Sequence, residues 1–212
     1  MSEIVLHSYW RATAPYRVRI GLALKGLAYD YVPVDLVAGE QGAPSHAALN
    51  AQRLVPALQT EDGVLTQSLA ILEWLEETHP EPPLLPADAA GRARVRAMAA
   101  IVATDIHPLN NLRVLKALTN LGVDDAARTA WAARWINDDF AALEPMVARW
   151  GEGWAYGATP TSADCCLIPQ VYSAARFGVD MTRYPALAAV AARAADHPAF
   201  QAAHPDRQPD AR

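Results

Sequence analysis

Strand-forming patterns in this chain stop at Pro80-Glu81-Pro82-Pro83, and beyond that point the apolar spacing is almost purely helical. A sequence with that asymmetry cannot thread one sheet through its whole length; it builds an α/β unit first and an all-helical unit after it. Before the break, Ile4–Trp10 reads as a short buried strand. Ala14-Pro15 then opens a helical pattern through Val18, Ile20, Leu22 and Leu24 to Lys25-Gly26. Tyr29–Leu36 alternates as a second strand, so a parallel βαβ unit is the economical arrangement. The Gly- and Ala-rich stretch up to Asn50 is a loop with at most a short helix. Pro56–Thr60 and Val64–Gln67 form two short strands joined at Glu61-Asp62-Gly63, a hairpin signal. From Ser68 the spacing of Ala70, Ile71, Trp74 and Leu75 is helical and stops near His79-Pro80.

Residues 81–90, rich in Pro and small side chains, join the unlike halves, and the division expected is 1–82, a linker at 83–89, and 90–212. Helical spacing runs through 91–120, 125–150 and 162–178, with one or two further helices over 184–203. Thr161-Ser162-Ala163-Asp164 fits a capping box with a folding role. An apolar fraction of 52% against 19% charged residues suffices for a sizeable core. The net charge of -5, with 18 dispersed basic residues, argues against nucleic acid as a partner. Cys165 and Cys166, the two cysteines, are adjacent, which excludes a disulfide framework or a Cys-rich metal site and fits a reducing, cytoplasmic compartment. Neither export nor a membrane span is expected, because no long uncharged apolar run and no basic leader pattern occurs.

Two places carry chemistry. In Leu54-Val55-Pro56-Ala57-Leu58 a proline opens a strand-like run, where its ring removes a ladder donor and suits a tight or cis connection. Gln67-Ser68 lies where a strand ends and a helix begins, and the free amides of that helix start can hold a carboxylate. Taken alone, without the surrounding order of elements, Ser68 reads as a plain N-cap with Gln67 merely exposed.

The order β, α, β, loop, Val-Pro, hairpin, Gln-Ser, helix, linker, helices resembles the cytosolic glutathione transferases over nearly the whole chain. Tyr9-Trp10-Arg11, Arg17-Val18-Arg19-Ile20, Gln67-Ser68-Leu69-Ala70-Ile71 and Glu73-Trp74-Leu75-Glu76-Glu77 resemble the zeta class, which contains maleylacetoacetate and maleylpyruvate isomerases. Leu84-Leu85-Pro86, Ile106–Asn111, Ala163-Asp164, Leu167–Val171, Ala175-Arg176-Phe177 and Gln208-Pro209-Asp210 are further matches. The resemblance implies a thioredoxin-like N-terminal domain that binds glutathione and an all-helical C-terminal domain that binds substrate. In it the Val55 backbone pairs with the cysteinyl part of glutathione, Pro56 is cis, and Gln67 and Ser68 hold the γ-glutamyl end. Gln52, His107 and Asn111 stand near the tripeptide, although His107 before Pro108 equally reads as packing against a neighbouring helix.

The family's zeta motif begins Arg-Ser-Ser-Cys, whereas this chain has Arg11-Ala12-Thr13-Ala14-Pro15. With the first hydroxyl gone, activation of the glutathione sulfur falls to Thr13, to the helix start at Ala12–Tyr16, or to Arg11, since a helix N-terminus or a nearby cation lowers a thiol's pKa. Arg11 and Arg176, with Arg113 as a weaker third, supply cations for a small acidic substrate. Arg17 and Arg19 are left mainly structural. The activity implied is glutathione-dependent cis–trans isomerisation of maleylpyruvate or maleylacetoacetate. The alternatives are a glutathione transferase or dehalogenase acting on small haloacids or electrophiles, and a catalytically weak glutathione-binding protein. The resemblance also implies a homodimer, with apolar surface on residues 62–100 as the contact.

Overall fold

The structure, a computed structural model, describes residues 3–212. The chain forms two compact units, one made of Met1–Leu84 with Asp196–Arg212 and the other of Leu85–Ala195.

The first unit runs β1 (Val5–Ser8), α1 (Thr13–Leu24), β2 (Asp30–Pro33), a 3-10 turn at Glu40–Gly42, α2 (Pro44–Leu49), β3 (Ala57–Thr60), β4 (Gly63–Thr66) and α3 (Ser68–Thr78), with α10 (Pro198–Ala203) returning from the far end of the sequence. The sheet order is β2-β1-β3-β4. β1 pairs parallel to β2, with Leu6 opposite Tyr31, and antiparallel to β3, with Leu6 opposite Leu58. β3 and β4 form the hairpin, turning at Glu61-Asp62. This is the thioredoxin-like arrangement. Leu6 and Leu58 are fully buried, as are Val18, Ile20 and Leu22 of α1 and Ile71 and Leu75 of α3. α1 and α3 approach so closely at Gly21 that a Cβ there would stand 2.6 Å from Leu72 Cδ2.

Two buried cations decide what else belongs to this unit. Arg19, with no exposed surface, donates to the carbonyls of Trp10 (2.7 Å) and Ala203 (3.0 Å) and to Ser8 Oγ (3.1 Å), so α10 is fastened to α1. Lys25 Nζ donates to Glu76 Oε2 (2.9 Å) and to the Pro82 carbonyl (2.7 Å), and Glu76 Oε2 also accepts the Leu84 N–H at 2.7 Å. Residues 82–84 are therefore tied to the α/β unit. The sequence-based division put everything from 90 onward in the helical half. Residues 196–212 instead group with the sheet, because Arg19 needs acceptors in the interior and the returning segment supplies one.

The second unit holds α4 (Ala89–Ala100), a π-helical turn (Ile101–Ile106), α5 (His107–Asn110), α6 (Leu112–Asn120), α7 (Asp125–Trp150), α8 (Ser162–Arg176), a 3-10 turn at Met181–Arg183, and α9 (Pro185–Ala195). α4 packs on α8 and α7 on α9, around Val95, Met98, Ile136, Phe140, Leu143, Leu167, Leu187 and Val190. The single helical run expected over 91–120 is interrupted. It passes through the π turn and then ends at Asn111, which is extended (φ -77°, ψ 161°) and uses its side chain to accept the Val114 N–H at 3.1 Å as the N-cap of α6. The capping box at the head of α8 forms: Asp164 accepts the Thr161 N–H (2.8 Å) and hydroxyl (2.9 Å) and also the Ala155 N–H (2.7 Å). Among the described residues no helix is long and apolar enough to cross a membrane.

Candidate active site

Strand register gathers the chemistry of the first unit at one end of its sheet. His7, near the end of β1, pairs with Ala57 at the start of β3, and Ala57 pairs with Thr66 at the end of β4. Three connections therefore leave the same edge: Tyr9–Ala12 running into α1, Val55-Pro56 entering β3, and Gln67-Ser68 entering α3. Both α1 and α3 start there, so both direct unpaired amides and the positive end of a helix dipole at the same place. An extended, anionic ligand is what such an edge accommodates.

The Val55–Pro56 peptide is cis, as the resemblance implied. The Leu54 carbonyl is clamped by Asn50 Nδ2 and His46 Nε2, each at 2.9 Å, and both side chains are about 5% exposed. Neither the N–H nor the carbonyl of Val55 has a partner among the described residues. A backbone N–H and C=O left open beside a strand can take another peptide by strand-like pairing. His46 and Asn50 were missed from sequence. Their signal, a His on a short helix and an Asn four residues on at its C-cap, has no meaning until the Leu54 carbonyl is placed beside them.

Gln67 is the N-cap of α3, which places Ser68 at the first helical position and corrects the expectation that Ser68 is the cap. Gln67 has φ 67° and ψ 112°, a conformation that side-chain-bearing residues rarely adopt and that costs on the order of 1–3 kcal/mol. Its Nε2 donates to Gln52 Oε1 at 2.7 Å, so these two predicted ligands are brought together. Ser68 is 5% exposed, and its Oγ accepts from Arg17 at 3.2 Å. Arg17, itself 1% exposed, thus positions a predicted ligand, a task that its place on a buried helix face did not reveal.

The start of α1 is bare. Ala12 occupies the N-cap position and offers no side-chain acceptor, there is no acidic residue in the first turn, and Pro15 has no N–H to satisfy. Thr13, the first helical residue, is buried, and its hydroxyl has no partner among the described residues. Arg11 is half-buried, with its guanidinium 5.5 Å from the Trp10 ring and 5.9 Å from the Tyr9 ring. A bare helix start with an arginine one residue before its N-cap is suited to an anionic sulfur.

The remaining predicted residues lie in the helical unit. Arg176 ends α8, exposed, with its guanidinium 5.7 Å from the Phe177 ring. His107 begins α5 directly after the π turn, Asn111 caps α6, and Arg113 is an exposed residue of the first turn of α6. No group of three His, Cys, Asp or Glu residues placed to hold a metal occurs among the described residues.

A thioredoxin-like unit with an anion-binding edge of this kind, continued by a helical unit, has the architecture of a glutathione transferase, and residues 14–83 match the family model for the glutathione S-transferase N-terminal domain. The chain is 51% identical over 209 residues to a maleylpyruvate isomerase from a Ralstonia species, covering 97% of this chain and 98% of that one. Its fold superposes with a TM-score of 0.96, at 50% identity, on the holo structure of maleyl pyruvate isomerase, a bacterial zeta-class glutathione transferase, covering 98% of this chain and all of that one. A maleylacetoacetate isomerase from Anaeromyxobacter dehalogenans, solved with glutathione in its active site, gives a TM-score of 0.91 at 50% identity and covers 99% of this chain and 98% of that one. The chain belongs to the zeta class of the glutathione transferase family, together with these isomerases.

Proposed function

We propose that this protein is a glutathione-dependent isomerase that converts maleylpyruvate or maleylacetoacetate to the fumaryl isomer. The observation that carries the proposal is the sheet edge at which an open Val55 backbone and two helix starts converge. These residues fit glutathione: an extended tripeptide with carboxylates at its ends matches one strand-like pairing position flanked by positive helix ends. Bound there, glutathione supplies a thiolate that adds reversibly to the activated double bond and so permits rotation about it.

The protein's part is binding, orientation and charge. The Val55 N–H and C=O pair with the cysteinyl part. Ser68 and the first amides of α3 hold the γ-glutamyl carboxylate; because Arg17 already donates to Ser68 Oγ, the Ser68 hydroxyl proton is left for the ligand. Gln67, buttressed by Gln52, contributes its amide to the same end. The uncapped start of α1, with Thr13 and Arg11, favours the ionised sulfur, and each unit by which a thiol's pKa falls gives about tenfold more thiolate near neutral pH. Arg11 and Arg176 present planar forks that match carboxylate and enolate oxygens, with Arg113 as a further cation. His107 and Asn111, whose side-chain oxygen is committed to the Val114 N–H, are the helical unit's further candidates. A homodimer is part of the proposal, with Val64, 40% exposed, on the contacting stretch 62–100. So is a cytoplasmic location, suited to the buried thiols Cys165 and Cys166.

The test follows the absorbance of maleylpyruvate and maleylacetoacetate with and without glutathione, in wild type and Arg176→Ala. Turnover that requires glutathione, regenerates it and is impaired in the variant supports isomerisation. Tight glutathione binding without turnover of either substrate overturns it in favour of a transferase or a binding protein.

A further inference from the structure

The loop Tyr9–Ala12 carries Arg11 and sets where α1 begins, and it is held from an unexpected direction. The Trp10 N–H donates to Asp210 Oδ2 at 3.1 Å, and the Tyr31 hydroxyl donates to the other carboxylate oxygen, Oδ1, at 2.6 Å. On its other side the Trp10 carbonyl accepts from Arg19 at 2.7 Å. The two backbone groups of Trp10 are thus gripped by an anion and a cation, and both grips lead to the returning segment, since Arg19 also binds the Ala203 carbonyl. Gln208, 8% exposed, folds that segment by donating to the carbonyls of Ala202 (3.1 Å) and His204 (2.8 Å), and the Ala211 N–H closes a turn on the Gln208 carbonyl at 3.1 Å. Asp210 is half-buried at the end of this scaffold.

We infer that Asp210 is a positioning residue: it fixes the Trp10 backbone and, through it, the placement of Arg11 and of the first turn of α1. Three features distinguish this from incidental surface contact. Both carboxylate oxygens are engaged, one by the loop and one by β2, so the carboxylate is oriented rather than merely paired. Burial raises the pKa of the Tyr31 phenol, with its hydrogen bond to Asp210 adding to the rise, so the phenol remains a donor throughout the working range. And the Arg11 guanidinium rests against the Tyr9 and Trp10 rings, so a shift of the Trp10 backbone displaces the cation with it. Ala12 follows as the N-cap with its own N–H bound to the Tyr9 carbonyl at 3.1 Å, which transmits the loop's placement to Thr13.

The inference rests on the isomerase proposal for its kinetic consequence but not for its structural one. Asp210→Ala, Asp210→Asn and, as a control, Arg207→Ala test it. In Asp210→Ala, amide hydrogen exchange of a peptide spanning 10–12, measured without glutathione, accelerates by about tenfold or more while exchange within α3 is unchanged. The same variant loses about tenfold or more in kcat while its calorimetric Kd for glutathione stays within about twofold, because misplacement of reacting groups costs rate and the tripeptide's ligands are intact. Asp210→Asn keeps an oxygen for the Trp10 N–H and recovers most of the rate. Arg207→Ala, which alters an exposed side chain of the same returning segment, behaves as wild type. Unchanged exchange at 10–12 in Asp210→Ala, or an Asp210→Asn rate as low as that of Asp210→Ala, overturns the inference. Absence of wild-type turnover strikes only the isomerase proposal, and the exchange measurement still decides this one.

Discussion

Helices α1 and α8 begin in opposite ways. At the head of α8 a capping box is closed by the chain's own groups: Asp164 is fully buried and takes three donors, two from Thr161 and one from Ala155. At the head of α1, Ala12 offers nothing, although Asp, Ser, Thr or Asn at that position contributes about 1 kcal/mol. The first is a fastening. The second forgoes stability and keeps its amides open, which is what an anion-binding helix start requires. α3 lies between them: its N-cap, Gln67, has no capping bond and is strained, yet its side chain is engaged by Gln52.

The largest effect expected from breaking this contrast is at the capped end. Asp164→Ala strands the Ala155 and Thr161 amides in the interior, and urea denaturation should show a loss on the order of 3 kcal/mol. A loss below about 1 kcal/mol, the ordinary worth of a cap, would remove the distinction between the two helix starts.

Next in size is a pH dependence. Burial pushes the Asp164 carboxyl up to about 6 from an ordinary 3.8, against the pull of its donors. The folded state therefore holds this proton more tightly than the unfolded chain does. The stabilising contribution is complete below the unfolded value and is lost as pH rises through the folded one. Relative to Asp164→Asn, wild type should lose on the order of 2 kcal/mol between pH 4 and pH 7. A difference that is flat, or of opposite slope, would show that the hydrogen bonds outweigh burial.

At the bare end, Ala12→Asp should do two things at once. It should raise unfolding stability by about 1 kcal/mol by capping α1. It should also lower turnover about tenfold, because a carboxylate beside the sulfur raises the thiol's pKa by about one unit. Smallest is Gln67→Gly, which relieves a positive φ and should be stabilising by up to about 1 kcal/mol while weakening glutathione binding by calorimetry. Equal glutathione affinity in Gln67→Gly would place that side chain outside the site.

Local patterns made much of this fold legible. The βαβ unit, the hairpin at Glu61-Asp62, the start of α3 at Ser68 and the full span Asp125–Trp150 of α7 follow from periodicity, turn chemistry and caps. The cis Val55–Pro56 peptide came from the family resemblance, not from spacing. What was hidden depends on partners far apart in sequence. Arg19 reads as one more polar residue in α1 until Ala203 is found at 3.0 Å, and that bond is what moves the returning segment into the first unit. The Asn50 and His46 clamp on Leu54, the Arg17 bond to Ser68 and the Asp210 hold on Trp10 are of the same kind. The interruption near Asn111 was hidden differently: Leu112–Asn120 keeps helical spacing, and only a cap geometry ends one helix and begins the next.

The most direct test of why α1 begins bare is a titration of the thiol of glutathione bound to wild type and to Ala12→Asp, read by ultraviolet thiolate absorbance. A bound thiol pKa at least about one unit below that of free glutathione in wild type, moving back up in Ala12→Asp, is the predicted result. A bound thiol that titrates like free glutathione in wild type, or that is indifferent to a carboxylate at position 12, would contradict it.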